Sequence, residues 1–156
     1  MSPIKLDIFE LIDDCQRALV ETQPTLISYQ DKVALENNVL PSVLGSSAVN
    51  VYALWQRVNQ GDEWQLMYIG ERKSKNGWAR VKQHLYSTPA GTQSKLSQVR
   101  AAINAGHDIG VTAICVDPDS LRLAVEEELI ALNTKKSGGL PWNIKARTKI
   151  ANRKSC

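Results

Sequence analysis

The stretch that decides the fold is residues 50–69, NVYALWQRVNQGDEWQLMYI. Its two ends, residues 50–58 and 64–69, are rich in β-branched and aromatic residues, which favour strands. Between them lies NQGDE, a short loop that contains Gly61 and is typical of a hairpin turn. We therefore predict a β-hairpin near the centre of the chain.

The residues after the hairpin alternate between helical and strand patterns. A basic loop, ERKSKNG, precedes predicted helices at residues 78–86 and 92–105, and residues 109–116, IGVTAICV, are almost wholly apolar, as in a central strand. Asp117 and Pro118 favour the start of a helix that runs to about residue 133. The order ββααβα predicts an α/β domain in which a small mixed three-stranded sheet is flanked by helices.

The residues before the hairpin predict a separate helical extension. In LDIFELIDDCQRALV the apolar residues recur every three or four positions and form one helical stripe, which Pro24 ends. A weaker helical segment spans residues 30–40 and ends at Pro41. We expect an N-terminal helical extension at residues 1–45, a main domain at residues 46–146 and a basic C-terminal tail at residues 147–156.

The composition narrows the class of protein. A chain of 156 residues has the size of one domain, and no stretch approaches the ~18 consecutive apolar residues of a membrane span. The acidic start argues against a signal peptide, and three widely spaced cysteines indicate reduced thiols. We therefore expect a cytoplasmic protein with no membrane partner. Two isolated histidines and the lack of C-x-x-C argue against a zinc site made only of protein ligands.

The charge is concentrated in two blocks. The net charge is +3, but residues 71–100 carry +6 and residues 129–156 carry +7, while residues 1–70 and 101–128 carry −5 each. Two basic blocks in a nearly neutral chain indicate a surface for a polyanion such as nucleic acid. The alternative is that the basic tail is only solvated.

Glu126 is the most informative single residue. On the predicted helix its side chain lies in the apolar arc, between Leu129 and Ile130, and a carboxylate there needs a partner. An ion pair with Arg122, one turn earlier, is one possibility. A Mg²⁺ site is the other, because Mg²⁺ binds one or two carboxylates and completes its shell with water and phosphate.

Arg80 and His84 lie four residues apart, on one face of a predicted helix. A guanidinium beside an imidazole suits a phosphodiester, although the pair also fits an ordinary solvated face. Tyr52 and Tyr68 lie on neighbouring strands of the hairpin, where they could equally form an aromatic pair that supports the core. Gly70, directly after Tyr68 and Ile69, permits a close approach of the backbone.

The order of these residues resembles the GIY-YIG nuclease family over about residues 49–145. The matching residues are, in sequence, Tyr52, Tyr68-Ile69-Gly70, Arg80-x-x-x-His84, Glu126-x-x-Leu129-Ile130 and Pro141-Trp142-Asn143. The pattern is most similar to the type II restriction endonucleases of this family and to a related phage endonuclease. The sequence departs from the family at Asn50-Val51-Tyr52, which keeps only the tyrosine. It also departs at Glu71, which replaces the usual lysine, and we expect Lys73 to take that role.

The resemblance implies a GIY-YIG-like fold and a Mg²⁺-dependent endonuclease that cuts double-stranded DNA at specific sites. Tyr52 would take a proton from the attacking water, helped by a nearby positive charge or by His84, and Tyr68 would orient water or phosphate. Arg80 would bind the scissile phosphate. Glu126 would hold one Mg²⁺, for which we expect Mn²⁺ to substitute, and Asn143 would hold the active-site loop by hydrogen bonds.

The two basic blocks would bind the DNA backbone on either side of this site. The candidate DNA-binding residues are Arg72, Lys73, Lys75, Lys82, Lys145, Arg147 and Lys149. One site cuts one strand, so double-strand cleavage needs a homodimer, a higher homo-oligomer or sequential nicks.

Two other classes of function remain open. One is a non-catalytic nucleic-acid-binding module with the same fold, and the other is a structural or protein-interaction domain. Loss of function in a nuclease fold should affect Tyr52, Arg80 or Glu126 first, and all three are present. Their presence favours an enzyme.

Overall fold

The computed structural model of the chain describes residues 1–89 and 93–143, which form four helices and four strands. In chain order the elements are α1 (Phe9–Leu19), β1 (Thr25–Ile27), β2 (Val51–Arg57), β3 (Gln65–Glu71), α2 (Gly77–Leu85), α3 (Leu96–Asn104), β4 (Asp108–Ile114) and α4 (Arg122–Ser137). The predicted hairpin is confirmed as β2 and β3. Its turn is closed by the backbone N–H of Asp62, which donates to the carbonyl oxygen of Asn59 at 3.0 Å.

The four strands form one antiparallel sheet in the order β1-β4-β2-β3. The α/β class is therefore confirmed, but the prediction of a mixed three-stranded sheet is wrong, because β1 is a fourth strand and every neighbouring pair is antiparallel. β1 has three residues, too few for an alternating pattern to be visible in the sequence. β4 lies between β1 and β2, as its continuous apolar run predicted.

The predicted helix at residues 30–40 is wrong, since the structure has only a 3₁₀ turn at Leu35–Asn37. Asp31 provides the physical reason. Its carboxylate accepts hydrogen bonds from the backbone N–H groups of Val33 and Ala34, at 3.0 and 2.8 Å. Such local bonds from a side chain to the backbone compete with the hydrogen bonds of a helix.

The helix predicted to start at Asp117 and Pro118 starts later, because Pro118 has an extended backbone and α4 begins at Arg122. The carboxylate of Asp119 is bonded to the side chain of Asn50 and the backbone of Ser74. The intervening Asp119–Leu121 forms a 3₁₀ turn. The residue that precedes α4 is Leu121, whose apolar side chain cannot cap a helix, so the N-cap predicted at Asp117 is wrong.

The sheet buries apolar residues on both faces. The helices α2 and α3 cover the face that carries Tyr52 and Leu54, and α1 and α4 cover the face that carries Val51 and Ala53. β2 is consequently buried on both faces along most of its length. In the part of the chain that the structure describes, no helix has the length and apolar character needed to cross a bilayer.

The helix α1 packs against α4 and β4. A reciprocal pair of buried amides joins the two helices. Gln16 Nε2 donates to Asn133 Oδ1 at 3.0 Å, and Asn133 Nδ2 donates to Gln16 Oε1 at 2.8 Å. Both polar side chains are thus satisfied inside an apolar layer that contains Leu19 and Leu129.

Candidate active site

The first part of the site is the pair of tyrosines on the hairpin. Tyr52 on β2 lies opposite Gly70 on β3, so Tyr68, two residues earlier, is its diagonal neighbour on the same face. The two ring centroids are 6.3 Å apart. A Cβ atom at position 70 would lie 2.7 Å from the Tyr52 hydroxyl and 2.7 Å from Cε1 of Tyr68. Glycine is required here because both rings occupy the space above its backbone.

The second part is His84, whose side chain is fully buried on α2. Its Nε2 lies 2.9 Å from the hydroxyl of Tyr52, and its Nδ1 accepts a hydrogen bond from the backbone N–H of Lys95 at 2.9 Å. Burial, followed by the positive charges of Arg80, Lys95 and Arg72, lowers the pKa of His84 to about 3. The imidazole is therefore neutral at physiological pH.

The position of α2 depends on Gly77, its first residue. A Cβ atom there would lie 1.8 Å from the carbonyl oxygen of Val49, two residues before β2 begins. The start of the helix therefore approaches the strand more closely than any side chain would allow. This contact brings His84, two turns along α2, to Tyr52 on β2.

The charges around the tyrosines are of both signs. Burial, followed by the negative charge of Tyr68 in its ionised form, raises the pKa of Tyr52 well above 10, and Arg80 and Arg72 act in the opposite direction. Burial and then Glu126 raise the pKa of Tyr68, again with Arg80 opposing. The structure thus brings Tyr52, Tyr68, His84, Arg80 and Glu126 into one electrostatically coupled group.

Arg80 is partly exposed at the edge of this group. Its Nη1 donates to Oε1 of Gln83 at 2.7 Å, and its Nη2 donates to the carbonyl oxygen of Gln93. These neutral partners hold the guanidinium without neutralising its charge. Arg80 can therefore still bind an anion beside the tyrosines.

Asn143 is buried and lies beside the outer edge of β3. Its Oδ1 accepts a hydrogen bond from the backbone N–H of Ile69, and its Nδ2 donates to the carbonyl oxygen of Ile69, both at 2.9 Å. Next to it, the backbone N–H of Trp142 donates to the carbonyl oxygen of Met67 at 2.9 Å. Asn143 therefore holds the strand that carries Tyr68.

A polar network at the start of β2 was missed by the sequence analysis. Asn50 is fully buried; its side chain exchanges two hydrogen bonds of 2.7 Å with the backbone of Val116 and donates to Asp119 at 2.9 Å. Asp119 also accepts from the backbone N–H of Ser74 at 3.0 Å. The only signal in the sequence was an asparagine at the start of a strand, where asparagine is unfavourable.

Arg122, the alternative partner for Glu126, forms ion pairs with two other carboxylates. They are those of Glu71 and Asp119, at 2.8 and 2.9 Å. Glu71 occupies the position at which the resemblance leads one to expect a lysine. The departure at Glu71 is thus part of an ion-pair network that connects the end of β3 with the start of α4.

The basic residues expected to bind DNA lie between β3 and α2 and on α2, where the structure describes them. Arg72, Lys73 and Lys75 are exposed around the 3₁₀ turn Ser74–Asn76, and Lys82 is exposed on α2. Lys145, Arg147 and Lys149 lie outside the described residues. The resemblance led us to expect Lys73 in the role of the family lysine. The cation that acts on the pKa of Tyr52 and of His84 is its neighbour Arg72.

Lys95, directly before α3, is a site residue that the sequence analysis did not single out. Besides its backbone contact to His84, its Nζ lies 5.3 Å from the ring centroid of Tyr68, within the range of a cation–π interaction. No residue type signals a contact made by a backbone N–H. The cationic side chain was visible only as one member of the basic block.

Glu126 is the candidate metal ligand, and its half-buried carboxylate acts on both tyrosines. Across residues 1–89 and 93–143, no cluster of three or more His, Cys, Asp or Glu side chains is arranged to hold a metal ion. A single carboxylate oxygen donor fits Mg²⁺, which keeps several waters and takes the remaining ligands from a substrate phosphate.

Comparison with known proteins gives no independent guide to this site. No protein-family model, no curated protein and no solved structure matches the chain. The interpretation of the site therefore depends on its own residues and their contacts, and the resemblance to the GIY-YIG nucleases stays a prediction.

Proposed function

We propose that the chain is a Mg²⁺-dependent endonuclease that hydrolyses phosphodiester bonds in double-stranded DNA, as a member of the GIY-YIG type. The observation that carries the proposal is the contact of 2.9 Å between the Tyr52 hydroxyl and Nε2 of His84. It lies in a group on which the cation Arg80 and the carboxylate Glu126 both act. A general base, a cation for phosphate and a carboxylate for Mg²⁺ are the parts that this hydrolysis needs.

The residues would divide the work as follows. Arg80 binds the scissile phosphate and stabilises the negative charge that develops on its oxygens. Tyr52 takes the proton of the attacking water, and Tyr68, the more exposed of the two phenols, orients water or phosphate. Because burial keeps the pKa of Tyr52 high, Tyr52 needs additional positive charge at the site before it acts as a base near neutral pH.

Glu126 would hold the Mg²⁺, which polarises the phosphoryl group and stabilises the leaving oxygen when it is bound. The half-burial of this carboxylate strengthens its attraction for a cation relative to a fully solvated side chain. Asn143 contributes by keeping β3, and with it Tyr68, in place.

The surface around the site also supports a DNA substrate. Arg72, Lys73, Lys75 and Lys82 are exposed on the elements that border the tyrosines. Such side chains bind phosphates without reading the base sequence, so they would position the duplex. Site-specific cleavage would require further contacts to the edges of the bases.

The first experiment is cleavage of a long, sequence-diverse linear DNA with Mg²⁺, with EDTA, and with Glu126→Ala. The matched control is Glu128→Ala, which removes an exposed carboxylate from the same helix. We expect discrete fragments that disappear with EDTA and with Glu126→Ala and persist with Glu128→Ala.

Two other outcomes would change the interpretation. Mg²⁺-dependent degradation without discrete fragments would support the nuclease and contradict its site specificity. DNA that is bound but stays intact under every condition would overturn the catalytic proposal in favour of a nucleic-acid-binding module.

A further inference from the structure

The two ring nitrogens of His84 have different partners. Nδ1 lies 2.9 Å from the backbone nitrogen of Lys95, and Nε2 lies 2.9 Å from the hydroxyl oxygen of Tyr52. A backbone N–H is always a donor, so Nδ1 must present its lone pair to Lys95. A neutral imidazole carries only one proton, which then has to be on Nε2.

We propose that the backbone N–H of Lys95 holds His84 in its Nε2–H tautomer, so that His84 is a fixed hydrogen-bond donor to Tyr52 and does not accept the Tyr52 proton. His84 is thus a positioning residue that acts through Tyr52. The hydrogen-bond direction stands by itself, whereas its role in catalysis rests on the proposed nuclease function.

The burial of His84 and Tyr52 supports this direction. The side chain of His84 is fully buried and Tyr52 is 1% exposed, so water does not compete for either nitrogen of the ring. Protonation of both nitrogens would bring a second N–H against the N–H of Lys95. It would also place a cation beside Arg80 and Lys95, which already act on this ring.

The donor role of His84 orients the hydroxyl of Tyr52. Since the Tyr52 oxygen accepts from Nε2, its own hydrogen must point away from the imidazole. Tyr68 lies beside both rings, with its ring centroid 6.3 Å from that of Tyr52 and 5.3 Å from that of His84. The hydrogen bonds therefore run in one direction, from the Lys95 amide through His84 to Tyr52, next to the partly exposed Tyr68.

The direct test is the protonation state of the ring, measured by long-range ¹H–¹⁵N correlation NMR on the ¹⁵N-labelled full chain at neutral pH. The chain has two histidines, so His107→Gln assigns the signals. We expect the His84 proton on Nε2, in the wild type and in Tyr52→Phe, because the Lys95 amide is unchanged in that variant. A proton on Nδ1 or on both nitrogens, or a change of tautomer in Tyr52→Phe, overturns the proposal.

The second test compares the DNA cleavage rates of His84→Gln and His84→Phe, after thermal unfolding has shown that both are folded. A glutamine amide nitrogen can donate to Tyr52 as Nε2–H does, but it cannot accept a proton. We expect His84→Gln to cleave at least about ten times faster than His84→Phe, whereas equal losses overturn the donor role. If the wild type cleaves no DNA, the nuclease proposal fails, and the NMR measurement still decides the hydrogen-bond direction.

Discussion

Asn143 pairs with the backbone of Ile69 as a neighbouring strand would, with one hydrogen bond donated and one accepted, both of 2.9 Å. We expect Asn143→Ala to lower the free energy of unfolding by about 2–4 kcal/mol, because it leaves a buried N–H and a buried C=O unpaired. Asn143→Asp should cost at least as much, since a carboxylate cannot donate to the carbonyl. Urea denaturation measures both, with exposed Asn104→Ala as the control. Equal stability of Asn143→Ala and the control would contradict the pairing.

The stability of the protein should decrease below neutral pH because of His84. Its pKa is about 3 in the folded chain and about 6.5 in an unfolded chain, so only the unfolded state binds the proton between these values. The contribution of His84 to stability is complete above pH ~6.5 and is lost at about 1.4 kcal/mol per pH unit as the pH falls toward 3. Urea denaturation at pH 7 and pH 5 should show a loss about 2 kcal/mol larger for the wild type than for His84→Gln. If the free energies of unfolding of the wild type and of His84→Gln changed equally with pH, His84 would not be the cause of the acid sensitivity.

Gly70→Ala should destabilise the protein and reduce any cleavage activity. The added Cβ would lie 2.7 Å from the Tyr52 hydroxyl and 2.7 Å from Cε1 of Tyr68, and the Tyr52 ring is buried in the core. We expect a loss of about 1–3 kcal/mol, as is usual for overpacked cores. The double variant Gly70→Ala/Tyr68→Ala should lose less than the sum of the two single variants. If thermal unfolding showed that the stability losses of the two single variants add up to that of the double variant, the added methyl group would not be in contact with the Tyr68 ring.

Gln16 and Asn133 should be energetically coupled. Each amide bonds to the other inside the α1–α4 layer. Removal of Asn133 leaves the buried amide of Gln16 unpaired, and removal of Gln16 leaves Asn133 only its bond to the carbonyl oxygen of Leu129. A double-mutant cycle with Gln16→Ala and Asn133→Ala should give a coupling energy of about 0.5–3 kcal/mol. A coupling energy near zero would mean that α1 does not rest on α4 through this pair.

Lys82→Ala and Lys75→Ala should weaken DNA binding equally for all sequences. Each exposed side chain that contacts a phosphate contributes about 0.9 to the slope of log K against log salt concentration, so each variant should have a shallower slope by about that amount. Lys5→Ala, which removes an exposed lysine that lies before α1 and outside both basic blocks, is the matched control. Fluorescence anisotropy at several salt concentrations measures the slopes. An equal effect of Lys5→Ala and Lys82→Ala would contradict the proposed DNA-binding surface.

The sequence by itself determined the hairpin and the central position of β4, and it predicted the residues of the candidate site other than Lys95. Short-range patterns in the sequence predict these features. The patterns are strand-forming residues around a turn, a wholly apolar run, and an arginine and a histidine four residues apart on a helix. Local preferences decide such elements because the interacting groups are close along the chain. The clustering of Tyr52, Tyr68 and His84 followed once the hairpin and α2 were in place.

Only the tertiary structure decided the fourth strand, the start of α4 and the polar contacts that hold the site. β1 pairs with β4 more than 80 residues away, Arg122 pairs with Glu71 across 51 residues, and Asn50 bonds to Val116 across 66. The contact between Lys95 and His84 is made by a backbone N–H, which every residue except proline possesses. The physical reason is the same throughout: these partners are selected by three-dimensional proximity inside a buried layer, and neither spacing nor residue type records it in the sequence.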